Sequence, residues 1–253
     1  AIGGLGTRRR FSGAVGDGTS TERRSHTRVG TFSSDWSEVS AGYSHACGRR
    51  GGALWCWGAN TQGQVGNGTT TNAYAPVRIG SASDWNGIGS GASQTCALRS
   101  GVAFCWGGNA YGQLGNGTYL PSGLEPALVS SATWSKIKVG AHICGITGGK
   151  LYCWGPNASG QLGDGSTVTR RTPTQVGSDS DWTDVAVSSS HTCAVRADEL
   201  YCWGKNDKKQ VAEDGLSISF DLREGVSFSD GTPFDATAAE WNLKRWMGVA
   251  DFS

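Results

Sequence analysis

The eight cysteines are the residues best placed to do chemistry. They form four pairs with eight residues inside each: Cys47/Cys56, Cys96/Cys105, Cys144/Cys153 and Cys193/Cys202. Two cysteines at that spacing suit either a cross-strand disulfide or part of a metal site. If each pair faces across an antiparallel hairpin, the two central residues are Gly51-Gly52, Ser100-Gly101, Gly148-Gly149 and Ala197-Asp198. Three of these four make good two-residue turns, because glycine supplies the positive φ that primed turns need. Counting back from such a turn places each couple at a non-hydrogen-bonded position, with Cα atoms roughly 4.5 Å apart, at the short end of what a disulfide bridges. The expectation is four disulfides and an oxidising compartment, extracellular or periplasmic. Zinc fits worse, because two thiolates in one rigid hairpin, with the next pair a whole unit away, do not gather four tetrahedral ligands. No metal or cofactor is expected.

Three histidines, His45, His142 and His191, stand two residues before the first cysteine of a pair, and Gln94 holds that place in the remaining unit. A metal ligand would not be exchanged for glutamine without loss, so each ring is expected to be buried and hydrogen-bonded to neighbouring backbone. Asn67-Gly68-Thr69 and Asn116-Gly117-Thr118 match a glycosylation acceptor, but the same place reads Asp164-Gly165-Ser166 in the next unit. Turn chemistry accounts for all three. No Ser/His/Asp set, paired carboxylate or phosphate loop recurs, and the glycine-rich stretches read as hairpin turns.

These residues are carried by a unit of about 49 residues. Its leading tryptophans are Trp36, Trp85, Trp134 and Trp182, spaced 49, 49 and 48. A fixed period of that length marks a repeat architecture in which no unit buries its own apolar face. In the second unit, strands are expected at Trp85 to Ile88, Thr95 to Leu98, Val102 to Trp106 and Leu128-Val129. Four short strands per period make one propeller blade. Gly112-Gln113-Leu114-Gly115 is expected to plant Leu114 between neighbouring blades, with Val65, Leu162 and Val15 in the same role.

Composition agrees with many short strands and tight turns: 40 glycines, 11 tryptophans and only 17% charged residues in 253. With 22 basic and 21 acidic side chains, nothing global points to nucleic acid. The N-terminal arginines (Arg8, Arg9, Arg10, Arg23, Arg24, Arg28) read as a solvated edge. No apolar run is long enough to span a membrane.

The motifs H-x-C-A-L, L-Y-C-W-G, G-Q-L-G-x-G-T and P-x-x-V, in this order over residues 13 to about 211, resemble the regulator of chromosome condensation repeat. The cysteine-bearing form is similar to secreted bacterial members. The resemblance implies an all-β propeller, usually seven-bladed, that grips a protein through loops on one face. Relatives include an exchange factor for a small GTPase and a secreted β-lactamase inhibitor, but no contact motif of either maps onto residues here.

The expected organisation is a partial repeat at 1–35 and propeller repeats at 36–211, divided as 36–84, 85–133, 134–181 and a truncated 182–211. Gly13 to Val29 is the half-unit that the fourth repeat lacks. The two halves either close a four-bladed ring or, the preferred reading, belong to an arc of a larger one. The chain opens and stops partway through a pattern, so it reads as a fragment or a processed piece.

From Glu213 the pattern changes. Leu216, Ile218, Phe220 and Leu222 alternate as a strand, Val226 and Phe228 form a second, and Asp235 caps a helix from Ala236 to about Met247. Residues 213–247 resemble the signature of extracellular solute-binding protein family 5, receptors of ABC importers; 212–253 is expected to be a short ββα fragment of it. The switch has no linker and falls inside a repeat's turn, where natural domains rarely join. It is consistent with recombination of the gene or with an assembly error.

The function expected is a secreted, disulfide-stapled module binding an unidentified protein through propeller-face loops, without chemistry, nucleic acid or a membrane span. The alternative is an extracytoplasmic solute receptor, represented only by its C-terminal fragment.

Overall fold

In the computed structural model, residues 13–29, 35–118, 120 and 122–207 are described, and all regular structure there is β. The strands and helix expected beyond residue 211 lie outside the described residues. Three four-stranded antiparallel sheets follow one another in sequence. The first holds β1 (Trp36–Ala41), β2 (His45–Arg50), β3 (Ala53–Gly58) and β4 (Ala73–Arg78). The second holds β5 (Trp85–Ser90), β6 (Gln94–Arg99), β7 (Val102–Gly108) and β8 (Ser122–Thr133). The third holds β9 (Lys136–Val139), β10 (Ile143–Thr147), β11 (Lys150–Gly155) and β12 (Arg170–Gln175). A fourth sheet has three described strands, β13 (Trp182–Val187), β14 (His191–Arg196) and β15 (Glu199–Gly204).

Each sheet is a simple meander because its central pair is closed by a two-residue turn. All four turns take positive φ at both positions, including the one without glycine, where Ala197 and Asp198 stand at +48° and +62°. The sequence marked only three of the four as suited; at the fourth, the pairing of Val195 with Leu200 and Arg196 with Glu199 holds two L-residues in a backbone region they normally avoid.

The register sets Cys47 opposite Cys56, Cys96 opposite Cys105, Cys144 opposite Cys153 and Cys193 opposite Cys202. Each couple is joined as a disulfide with Cα atoms 4.0 to 4.1 Å apart, closer than the roughly 4.5 Å of an unbridged pair. Each bridge closes a short loop, so replacing both Cys144 and Cys153 by alanine is expected to cost about 2–3 kcal/mol, read as a lower urea midpoint at unchanged slope.

The core lies between blades. One cluster joins Trp57 and Val65 of the first blade to Trp85 and Trp106 of the second. A second joins Leu114 to Trp134, Ile143 and Trp154, and a third joins Leu151 and Leu162 to Trp182 and Val185. Within each blade the leading tryptophan packs against the tryptophan of the Cys-Trp-Gly strand, edge-on in the first, second and fourth blades and tilted in the third, with centroids 5.6 to 6.3 Å apart. Such pairs add to simple area burial.

Candidate interaction face

A meander sends its first and third connections to one face and its second, with the link to the next blade, to the other. The two faces differ accordingly. One carries the two-residue turns and a row of ion pairs: Arg50 with Asp35 at 2.6 Å, Arg99 with Asp84 at 2.7 Å, and Arg196 with Asp179 and Asp181. The other carries the long connections after β3, β7 and β11, and the tips after β1, β5, β9 and β13. Four exposed large apolar side chains stand on this second face: Tyr43, Tyr111, Leu120 and Val168.

The long loops are built around a buried asparagine. The Oδ1 atoms of Asn60, Asn109 and Asn157 accept from the backbone N–H of Val65, Leu114 and Leu162 at 2.9 to 3.0 Å. Their amide groups donate across the loop to the carbonyls of Thr69, Thr118 and Ser166. A second turn follows, in which Asn67, Asn116 or Asp164 accepts from the backbone and hydroxyl of the residue two positions on. Where this residue is an aspartate, an arginine six positions later pairs with it: Arg23 with Asp17 and Arg170 with Asp164, each at 2.6 Å through Nε. The Thr19 hydroxyl first, against the effect of burial, then Arg23, hold the Asp17 carboxyl below its usual range. At Asp164 burial works to raise the value, but Ser166 and Arg170 outweigh it and the net direction is down.

The loops are also the mortar between blades. Leu114 and Leu162 are buried between sheets. Carbonyls beside them accept from the next blade's indoles: Trp106 Nε1 donates to Gln64, Trp154 Nε1 to Gln113 and Trp203 Nε1 to Gln161, each at 3.0 Å.

The histidines do not hydrogen-bond to backbone as expected. His45 Nε2 lies 2.8 Å from Thr95 Oγ1, and His142 Nε2 lies 2.6 Å from Thr192 Oγ1, each partner belonging to the next blade. The two hydroxyls donate onward to the Gln64 and Gln161 carbonyls, so each ring donates from Nε2 and leaves Nδ1 unprotonated. A threonine reaches the ring because the sheets pack face to face, whereas the backbone nearby is already committed to strand pairing. Burial pushes both imidazoles down to about 4, with neighbouring His191 adding to the effect at His142. They are neutral structural donors, buried beneath the tips that they follow in sequence. In the third blade Ile143 holds the place of that threonine, and Gln94 instead donates to the carbonyls of Gly140 and Ala141.

Ser188 Oγ lies 2.8 Å from His191 Nδ1, a nucleophile–base distance. The same hydroxyl contacts the His191 carbonyl and accepts from its backbone N–H, which marks a turn. Among the described residues no group of three His, Cys, Asp or Glu side chains could hold a metal ion, and no helix is long and apolar enough to cross a membrane. The buried asparagines, the threonine partners and the exposed loop residues were missed from the sequence. The first two were marked by the period itself, since an asparagine follows each Cys-Trp-Gly and a threonine recurs beside the cysteine.

A family model described as the regulator of chromosome condensation (RCC1) repeat matches residues 51–98, 100–146 and 148–195, and a second RCC1 repeat model matches 182–210. A model described as the middle part of bacterial extracellular solute-binding proteins, family 5, matches residues 197–253. No curated protein matches the chain. Among solved structures it is similar to human WBSCR16, with a TM-score of 0.63 at 21% identity, over 71% of this chain and 50% of that one. It is also similar to yeast RCC1 (Prp20) in the structure with Kap60 bound, with a TM-score of 0.61 at 22% identity, over 70% and 45%. Prp20p of Saccharomyces cerevisiae, in a structure described with its binding to Gsp1p and histones, gives 0.60 at 23% identity, over 69% and 46%. The chain thus spans about half the length of these structures, and the likeness at this identity is one of fold.

Proposed function

Because the chain belongs to the RCC1 repeat family, we propose that it is a secreted, disulfide-stapled propeller segment that binds a protein through its loop face and has no chemistry of its own. The reading rests on the asymmetry of the two faces. Tyr43 on a strand tip and Tyr111, Leu120 and Val168 on long loops stand exposed on one face, while the other is closed by two-residue turns and ion pairs. Exposed aromatic and aliphatic side chains on a rigid frame are what protein interfaces use as anchors. Protein partners in the fold point the same way, since Prp20 is described with Kap60, Gsp1p and histones; those partners are that protein's own. Four disulfides support the expectation of an oxidising compartment, extracellular or periplasmic.

A photo-crosslinker placed at Tyr111 is expected to capture a protein from the secreted fraction, while one placed at Asp198 on the opposite face is not. Replacing Tyr43 and Leu120 by serine should abolish the Tyr111 capture. Equal capture from both faces would sink the reading.

The solute-binding match at residues 197–253 supports a second reading, a receptor of an ABC importer. Calorimetry of the intact chain against mixed short peptides separates the two. Heat of binding would favour the receptor, and none is expected.

A further inference from the structure

The loop face differs from the rest of the molecule in charge as well as in apolar exposure. The tips after β1, β5, β9 and β13 and the long connections after β3, β7 and β11 hold between them one Asp, Glu, Lys or Arg side chain, Asp164. In the whole chain 17% of residues are of these types, so an even spread would have put several charges there. Asp164 is itself covered, with 5% of its side chain exposed, and is paired with Arg170. What reaches solvent is hydroxyl, amide and apolar, with Thr70 and Gln62 exposed beside the four apolar anchors. Charge returns around this field. Glu125 and Arg171 stand on the outer strands β8 and β12, and the pairs Asp17–Arg23 and Lys205–Asp207 stand before and after it in the chain.

We infer that the loop face docks an uncharged patch of a folded protein, with Tyr43 as its principal anchor and with an affinity that salt does not weaken; this rests on the protein-binding reading. The centre of a protein interface is depleted of charge and enriched in aromatic side chains, and the loop face has that composition while lying open. Tyr43 is 91% exposed, yet its backbone is fixed. Its N–H donates to the Gly91 carbonyl at 3.1 Å, and a Cβ on the preceding Gly42 would lie 2.4 Å from the same carbonyl. A ring presented on so close a fit costs little ordering when it is buried by a partner.

Charge decides against the other occupants. A charged partner surface would give up its water for a face that offers no counter-charge. Nucleic acid and anionic lipid headgroups are held by Lys and Arg, which the seven connections lack. A neutral glycan would suit a tyrosine ring, but Leu120 and Val168 are branched aliphatic chains, 68% and 57% exposed, whose burial calls for the apolar recess of a protein surface. The opposite face is the contrast, since Arg99 and Asp84 there are each 46% exposed and any contact through them would be screened by salt.

The test immobilises the full chain, loads the secreted protein fraction at about 0.05 M sodium chloride and washes at about 1 M, where exposed charges are screened within about 3 Å. The protein retained is expected to stay bound through the wash. Ala92 is exposed on the tip beside Tyr43, and Ala92→Glu and Ala92→Lys are each expected to weaken retention about tenfold, because either sign meets an uncharged patch. Lys150→Glu, exposed beside the two-residue turn of the third blade on the opposite face, should leave retention unchanged. A protein that washes off by about 0.3 M salt would overturn the inference and leave the protein-binding reading standing, and so would weakening by one Ala92 variant alone. Retention that survives protease treatment of the fraction but not periodate oxidation would make a neutral glycan the occupant and overturn both. No retention of any protein at low salt would overturn both as well.

Discussion

Acidification from pH 7 to pH 4 is expected to remove on the order of 5 kcal/mol of stability through two buried histidines. His45 and His142 are nine-tenths or more enclosed, and burial holds their values near 4 against 6.5 for an exposed ring. A histidine depressed in the folded state contributes its full stability above the unfolded value. That contribution is lost as pH falls from about 6.5 toward about 4, because the unfolded chain takes up a proton that the folded chain refuses. Each ring accounts for about 3 kcal/mol across this window. The structural reason is specific. Nε2 already donates to a threonine, so the added proton must go on Nδ1, which has no hydrogen-bond partner at either ring.

Urea unfolding followed by tryptophan fluorescence at half-unit pH steps measures the effect. The double variant His45→Gln with Thr95→Ile, which copies the Gln94/Ile143 arrangement, should lose about half of the slope, since one of the two rings is gone. A midpoint that does not move between pH 7 and pH 4.5, or a slope unaltered in the double variant, would show that these rings are not held neutral by burial. Asp17, Asp84, Asp164 and Asp184 are all shifted downward, so their contribution is kept above about pH 5 and lost as pH falls through the carboxylate range, which leaves the upper part of the window to the histidines.

The blades were legible because their signals are local. Cysteines nine apart with Gly51-Gly52 or Gly148-Gly149 midway specify a turn, a register and a bridge within one hairpin. The period supplied the rest of the scaffold, and Leu114 and Leu162 lie between sheets as the repeated Gly-Gln-Leu-Gly suggested. The partners of His45 and His142 were not legible, because they stand 50 residues away on the next blade. Only the packing of one sheet on another brings them together. Once that offset is known, the correlation of His with Thr and of Gln with Ile can be read in the letters. Nor could the sequence mark Tyr43, Tyr111, Leu120 and Val168 as a set. Which face a loop occupies follows from the order of strands in the meander, and exposed apolar residues carry no periodic signature of their own.

The loop that binds successive blades gives the sharpest mutational contrast. Gly115 has φ of +73°, and a Cβ built there would lie 2.5 Å from Trp154 Nε1. That indole is fully buried and donates to the Gln113 carbonyl two residues earlier in the same loop. Gly115→Ala must therefore push the ring out of place, breaking a buried hydrogen bond and opening the cluster with Trp134, Ile143 and Leu114. Left-handed backbone strain, overpacking and an unsatisfied indole together are expected to cost about 3–5 kcal/mol. Gly117, two residues on, has φ of +80° but only Thr172 Cγ2 at 3.7 Å from such a Cβ. Gly117→Ala then meets the backbone strain alone, about 1–2 kcal/mol. Both variants keep the disulfides and the strand pairing, so urea midpoints compare them directly. A shift in Trp154 fluorescence should accompany Gly115→Ala and be absent from Gly117→Ala. Equal losses would mean that φ alone governs this loop. The larger loss at Gly115 would instead locate the coupling between blades in the fit of a glycine against an indole, repeated at Gly16 with Trp57, Gly66 with Trp106 and Gly163 with Trp203.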